Sequence, residues 1–132
     1  MNNTPKERTE QEGLVRFLRL HRGQYFIHSI ENSLHIPYPT DCSAAIKREI
    51  NRINAALTLI RIAMGQINGM PDLFVPSLNL YIEMKRIKGG VVSAVQKECH
   101  EGLRSQGAKV YVAYGFLNAL REIERLEKEN ET

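Results

Sequence analysis

The stretch "PDLFVPSLNLYIEMKR", Pro71 to Arg86, constrains the fold of this chain more than any other. Side chains of an extended strand alternate between its two faces. In "LYIEMK", Leu80, Ile82 and Met84 therefore share one face, and Tyr81, Glu83 and Lys85 the other. In "PDLFV", Leu73 and Val75 point one way, Asp72 and Phe74 the other. The turn falls in "PSLN", and a hairpin centred on Ser77 and Leu78 places Val75 opposite Leu80, Phe74 opposite Tyr81 and Asp72 opposite Glu83. Ser-Leu is a poor sequence for a tight turn, which leaves the register open to a shift.

In that register two carboxylates face each other across neighbouring strands, about 5 Å apart at their β-carbons. Like charges so placed either hold a proton or share a cation. Carboxylate oxygens suit a hard divalent ion such as Mg²⁺ or Mn²⁺. Lys85 follows Glu83 on the same face, roughly 7 Å along the strand. From there an ammonium can reach an attacking water or the charge that builds on an attacked phosphate. The plainer reading is an exposed face on which charges merely alternate with apolar residues, and Glu-x-Lys by itself is a weak signal.

The remainder of the chain reads as an ordinary globular domain. Its 132 residues suffice for one core, and 42% hydrophobic with 25% charged residues argues against disorder. The expected organisation is a single domain over 1–132, with 1–6 a flexible arm and 127–132 a frayed tail. No apolar run approaches the roughly 20 residues of a membrane-spanning helix, and the start carries no secretory signal pattern. Cys42 and Cys99 match no metal-ligand spacing and read as reduced thiols of a cytosolic protein. A net charge of +3 is a mild lean toward polyanions.

Hydrophobic spacing predicts a helix over Glu7 to His21 and a strand in "QYFIHSI". A loop, "NSLHIPYPTD", leads to a long helix capped by Asp41 or Ser43. Its apolar stripe is Ile46, Ile50, Ile53, Leu57, Ile60 and Met64. After the hairpin come a "KGG" turn, a helix with Ser93 at its N-cap and Gly107 past its end, the strand "AKVYVAYG" and a last helix. This order predicts an α/β domain with a mixed sheet of about four strands, the third helix serving as a parallel crossover.

Pro71-Asp72 followed by Glu83-Met84-Lys85 has the form of the PD-(D/E)-x-K nuclease motif. More narrowly, "GMPDLFV", "LYIEMKR", "GGVVSAVQ" and "LRSQGAKVYVAYGFLNALREI" resemble the virus-type replication-repair nuclease domain, VRR-NUC, in its stand-alone phage and bacterial form. The resemblance continues more loosely in "TEQEGLVRFL" and "HSIENS". It implies a restriction-endonuclease-like core and a metal-dependent DNA endonuclease acting on branched structures, with Holliday-junction resolution by a homodimer as the leading activity. The implied cofactor is Mg²⁺ or Mn²⁺. Asp72 and Glu83 would bind the ion, the backbone carbonyl of Met84 would add a ligand, and Lys85 would orient or activate the water. A first-helix glutamate completes the acidic cluster in this family. The pattern favours Glu10, with Glu7 second and Glu12 least suited. Gln96 corresponds to a glutamine near the family's active site, although Ser93 and Gln96 equally form a capping box.

Lys88 beside Gly89 and Gly90 is a candidate for phosphate contact or a solvated turn. Arg48 and Arg52, with Arg16, Arg19, Lys47 and Arg61, are candidates for following a DNA backbone or for a solvated helix face. His21, His28, His35 and His100 form no motif and are assigned to no metal. The Ile46–Met64 stripe is expected to form core on one side and, being long for this domain, to bury in part against a second copy. The expected location is the cytoplasm of a bacterium or phage-infected host. Alternatives are a flap, nicking or restriction-like nuclease using the same site, and a non-catalytic DNA-binding module of the same fold.

Overall fold

A computed structural model describes residues 6–30 and 35–131. It contains a four-stranded mixed sheet with four helices: α1 (Glu7–His21), β1 (His28–Ser29), α2 (Ala44–Ala63), β2 (Leu73–Val75), β3 (Leu80–Lys85), α3 (Ala94–Ser105), β4 (Lys109–Tyr114) and α4 (Phe116–Asn130). The α/β architecture expected from the element order is present. The strands lie in the order β1-β2-β3-β4. The first two neighbour pairs are antiparallel and β3 runs parallel to β4, so α3 is the crossover.

The hairpin has the register deduced from alternation: Leu73 pairs with Ile82, Phe74 with Tyr81 and Val75 with Leu80. Its turn is not a tight two-residue one. Pro76–Leu78 makes a single 3₁₀ turn and Asn79 closes it at φ 49°, a left-handed conformation that asparagine tolerates. A four-residue loop keeps the register while removing the need for a turn at Ser-Leu.

One sheet face is the core. Leu73, Val75, Leu80, Ile82 and Met84 pack with Leu14 and Leu18 of α1 and Ala119, Ile123 and Leu126 of α4, all buried. The opposite face of β3 carries Glu83 and Lys85 and is covered by α3, where Gln96 and His100 meet Glu83.

Three expectations are corrected. The strand expected at "QYFIHSI" is only His28–Ser29, because β2 offers three residues to pair with. Before it, Gly23–Tyr25 is a 3₁₀ turn and Phe26 sits at φ 54°. That twist turns Tyr25 and Ile27 into the core and leaves Phe26 80% exposed. The frayed tail is largely absent, since α4 runs to Asn130 with Arg125 paired to Glu122 and Glu129. The α2 stripe is mostly solvent-facing: Ile50 is buried, but Ile46, Ile53, Ile60 and Met64 are exposed. Ser43, not Asp41, caps α2 by accepting from the Ile46 N–H. The segment before α2 is pinned along it, with Asn54 bonding both the N–H and the C=O of Ile36. The proposed arm lies almost entirely outside the described residues, as does the beginning of the "NSLHIPYPTD" loop. No helix among the described residues is long and apolar enough to cross a membrane.

Candidate metal centre

Three acids from three parts of the chain converge. Carboxylate oxygens of Glu7, Asp72 and Glu83 lie within 4.8 Å of one another. Glu83 reaches the group from the middle of β3, where strand alternation aims it away from the apolar core. Asp72 precedes β2 and is locked by its own hydrogen bond, its Oδ2 accepting from the Met84 N–H at 2.7 Å. N–H and C=O of one strand residue leave on the same side. The Met84 carbonyl therefore faces the Asp72 side, as a backbone ligand requires, while the Lys85 carbonyl bonds Gly115 on the β4 side.

Glu7, rather than the favoured Glu10, brings the helix α1 acid. Residues seven apart on a helix almost eclipse one another, so Glu7 shares the stripe of Leu14 and Leu18 and faces the sheet. Glu10 is rotated toward α4 along with Gly13 and Phe17, all three meeting Phe116. Its Oε2 accepts the Phe116 N–H at 2.8 Å, supplying the cap that Gly115, at the N-cap of α4, has no side chain to give. Glu12 is exposed and paired with Arg8.

The electrostatics follow from burial. Glu83 is 1% exposed and Lys85 is also buried, with Nζ 3.5 Å from Glu83 Oε1. Removal from water, then the facing Asp72, pushes the Glu83 pKa up to about 8. Burial also raises Asp72, against the opposing pull of the Met84 N–H and Lys85. Glu7 is raised by burial and by Asp72. Three acids and one ammonium would carry two excess negative charges if all were ionised, so without a cation the cluster holds protons instead.

Gln96 does both things its sequence context allowed. Its Oε1 accepts the Ser93 N–H at 2.9 Å while Ser93 Oγ accepts the Gln96 N–H, completing the capping box. The same Oε1 accepts from Lys85 Nζ at 3.1 Å, and Nε2 donates to Glu83 Oε1 at 3.0 Å. One amide thus fixes the acid and the amine relative to each other.

The donor set fits a hard divalent cation: three carboxylates within bridging reach, one of them buried with Oε2 lacking any hydrogen-bond partner among the described residues. Lys88 is exposed in its turn, and Arg48 and Arg52 are exposed on α2, where Arg52 pairs with Glu49. Among the described residues, no contact joins these three to the acids.

Two features were not legible as site elements. His100, one turn beyond Gln96, is 2% exposed with Nε2 3.6 Å from Glu83 Oε2. Its i+4 spacing from Gln96 was the available signal. Gly90 packs against the end of β3 so closely that a β-carbon there would stand 2.8 Å from Cβ of Lys85. Nothing in the sequence announces that contact. Comparison with protein-family models, curated proteins and solved structures returns no match.

Proposed function

We propose that the chain is a Mg²⁺- or Mn²⁺-dependent endodeoxyribonuclease acting on branched DNA. The observation that carries this reading is the Glu7–Asp72–Glu83 cluster with the buried Lys85 ammonium beside it. Structural ion pairs seldom leave three acids converging around a single cation, because the repulsion needs an external positive charge to relieve it. A bound divalent ion would polarise a phosphodiester and make water a better nucleophile. Glu7, Asp72 and Glu83, with the Met84 carbonyl, would hold it. Lys85, fixed by Gln96, holds and orients the attacking water and stabilises negative charge developing on the phosphate.

The preference for four-way junctions, and the cytoplasm of a bacterium or infected host as the location, rest on the resemblance to VRR-NUC domains. Cys42 and Cys99 are both free, in keeping with a reducing compartment. For the homodimer there is physical support. The α2 residues Ile46, Ile50, Ile53, Leu57, Ile60 and Met64 alternate at spacings of four and three, the seam of a helix that packs along another. Four of the six are exposed in the single chain.

The test is cleavage of labelled four-way junctions, flaps, duplexes and single strands by wild type, Glu83→Gln and Lys85→Ala. Paired symmetric nicks on the junction, abolished by EDTA and by either substitution, are expected. A single cut at a flap base would shift the substrate to flaps. Cutting that ignores the chelator, or wild-type rates in either variant, would defeat the assignment.

A further inference from the structure

The face of α3 that covers β3 presents two polar side chains one turn apart, and both reach Glu83. Gln96 Nε2 donates to Oε1 at 3.0 Å. His100 Nε2 stands 3.6 Å from Oε2, the other oxygen of the same carboxyl group. His100 and Glu83 are 2% and 1% exposed, and neither of these two facing atoms has a hydrogen-bond partner among the described residues. Two orphaned polar atoms seldom face each other in a protein interior without a role.

We propose that His100 is a positioning residue for Glu83: its Nε2–H clamps Oε2 as Gln96 clamps Oε1, fixing the carboxylate plane toward Glu7 and Asp72. This rests on the metal-centre reading above. His100 is not itself one of the converging groups, which are the three carboxylates. Burial, then the nearby Arg104 and Lys85 charges, hold the ring's pKa below the usual imidazole value. A neutral ring has one N–H, and a carboxylate oxygen opposite Nε2 selects the tautomer that carries it there. The present 3.6 Å separation is long for a hydrogen bond. A hydrogen bond to a carboxylate oxygen is charge-assisted and short, and this N–H forms one on closing by a few tenths of an ångström. Each carboxylate oxygen offers two lone-pair directions, so the single clamp on Oε2 leaves one of its directions free.

The experiment is Mn²⁺ binding to the intact protein by calorimetry and by electron paramagnetic resonance of free Mn²⁺, with circular dichroism as the fold control. His100→Phe keeps ring volume and removes the donor. His100→Gln keeps an amide N–H at nearly the reach of Nε2, and His100→Asn withdraws it by one bond. Phe and Asn are expected to weaken Mn²⁺ binding by about tenfold to a hundredfold, with Gln within about threefold of wild type. Wild-type affinity in a folded His100→Phe, or equal affinity in Gln and Asn, overturns the role of His100. Should Phe not fold, the Gln-against-Asn comparison decides. Failure of wild type to bind Mn²⁺, or retention of binding in Glu83→Gln, would instead bring down the metal centre itself.

Discussion

Glu10 and Phe116 are joined across the α1–α4 contact, the Glu10 carboxylate accepting the first backbone N–H of α4 at 2.8 Å. That bond divides labour between two glutamates one turn apart on α1. Glu10 closes a helix end whose N-cap residue is glycine, and Glu7 is left to face Asp72 and Glu83.

Substituting each in turn separates the two jobs. Glu7→Gln should cut Mn²⁺ affinity and cleavage by about a hundredfold while leaving thermal stability unchanged or raised, since it removes a repelling acid. Glu10→Ala should lose the cap, costing about 1 kcal/mol and lowering Tm by roughly 4 °C, with cleavage retained. Melting curves and cleavage rates on the two variants check this. The reverse pattern would return the site to Glu10.

The metal-free protein should melt at lower temperature as pH rises. Glu83 is raised from an ordinary 4.5 to about 8, and Asp72 and Glu7 are raised as well. The fold therefore keeps protons that the unfolded chain releases. Stability from this source is full below the unfolded pKa and is lost as pH climbs through the folded one, between about 4.5 and 8 for Glu83. Melting scans in EDTA across that window should fall in wild type and flatten in Glu83→Gln. Mn²⁺ at a hundred times its Kd should restore about 2.7 kcal/mol at pH 8, a rise on the order of 10 °C.

Gln96→Glu isolates the two roles of that side chain. A glutamate still accepts from the Ser93 N–H and from Lys85, so the capping box and Tm should be kept to within about 2 °C. The donor to Glu83 Oε1 is replaced by an opposing carboxylate, and cleavage should fall by at least about tenfold. Full cleavage in this variant would reduce Gln96 to a cap.

The pair relationships in the hairpin were legible in the sequence because alternation on both strands and the short connection between them favour the observed centre, although the Ser-Leu turn left a shift open. The α3 cap was legible for the same reason: Ser93 and Gln96 lie within one local pattern. What failed were features decided at a distance. Glu10 was drawn off by Phe116, 106 residues later, through a contact that no helical periodicity encodes. The β-branched and aromatic run at Tyr25–Ile30 lost its strand to the short length of β2, a property of its partner. His100 joined the site only when the crossover laid α3 across β3.

The α2 seam makes a prediction about assembly. Light scattering on size-exclusion fractions should give about twice the 15.1 kDa chain mass, and Ile53→Glu or Ile60→Glu should return it to one. Both residues are exposed in the single chain, so the fold itself should survive the substitution. A wild-type monomer at tens of micromolar would remove the dimer.

Anomalous diffraction from a crystal soaked in Mn²⁺ bears most directly on the convergence of the three acids. A peak bonded to carboxylate oxygens of Glu7, Asp72 and Glu83, at about 2.0–2.3 Å, is expected. No peak at saturating Mn²⁺, or one that excludes Glu83, would contradict it.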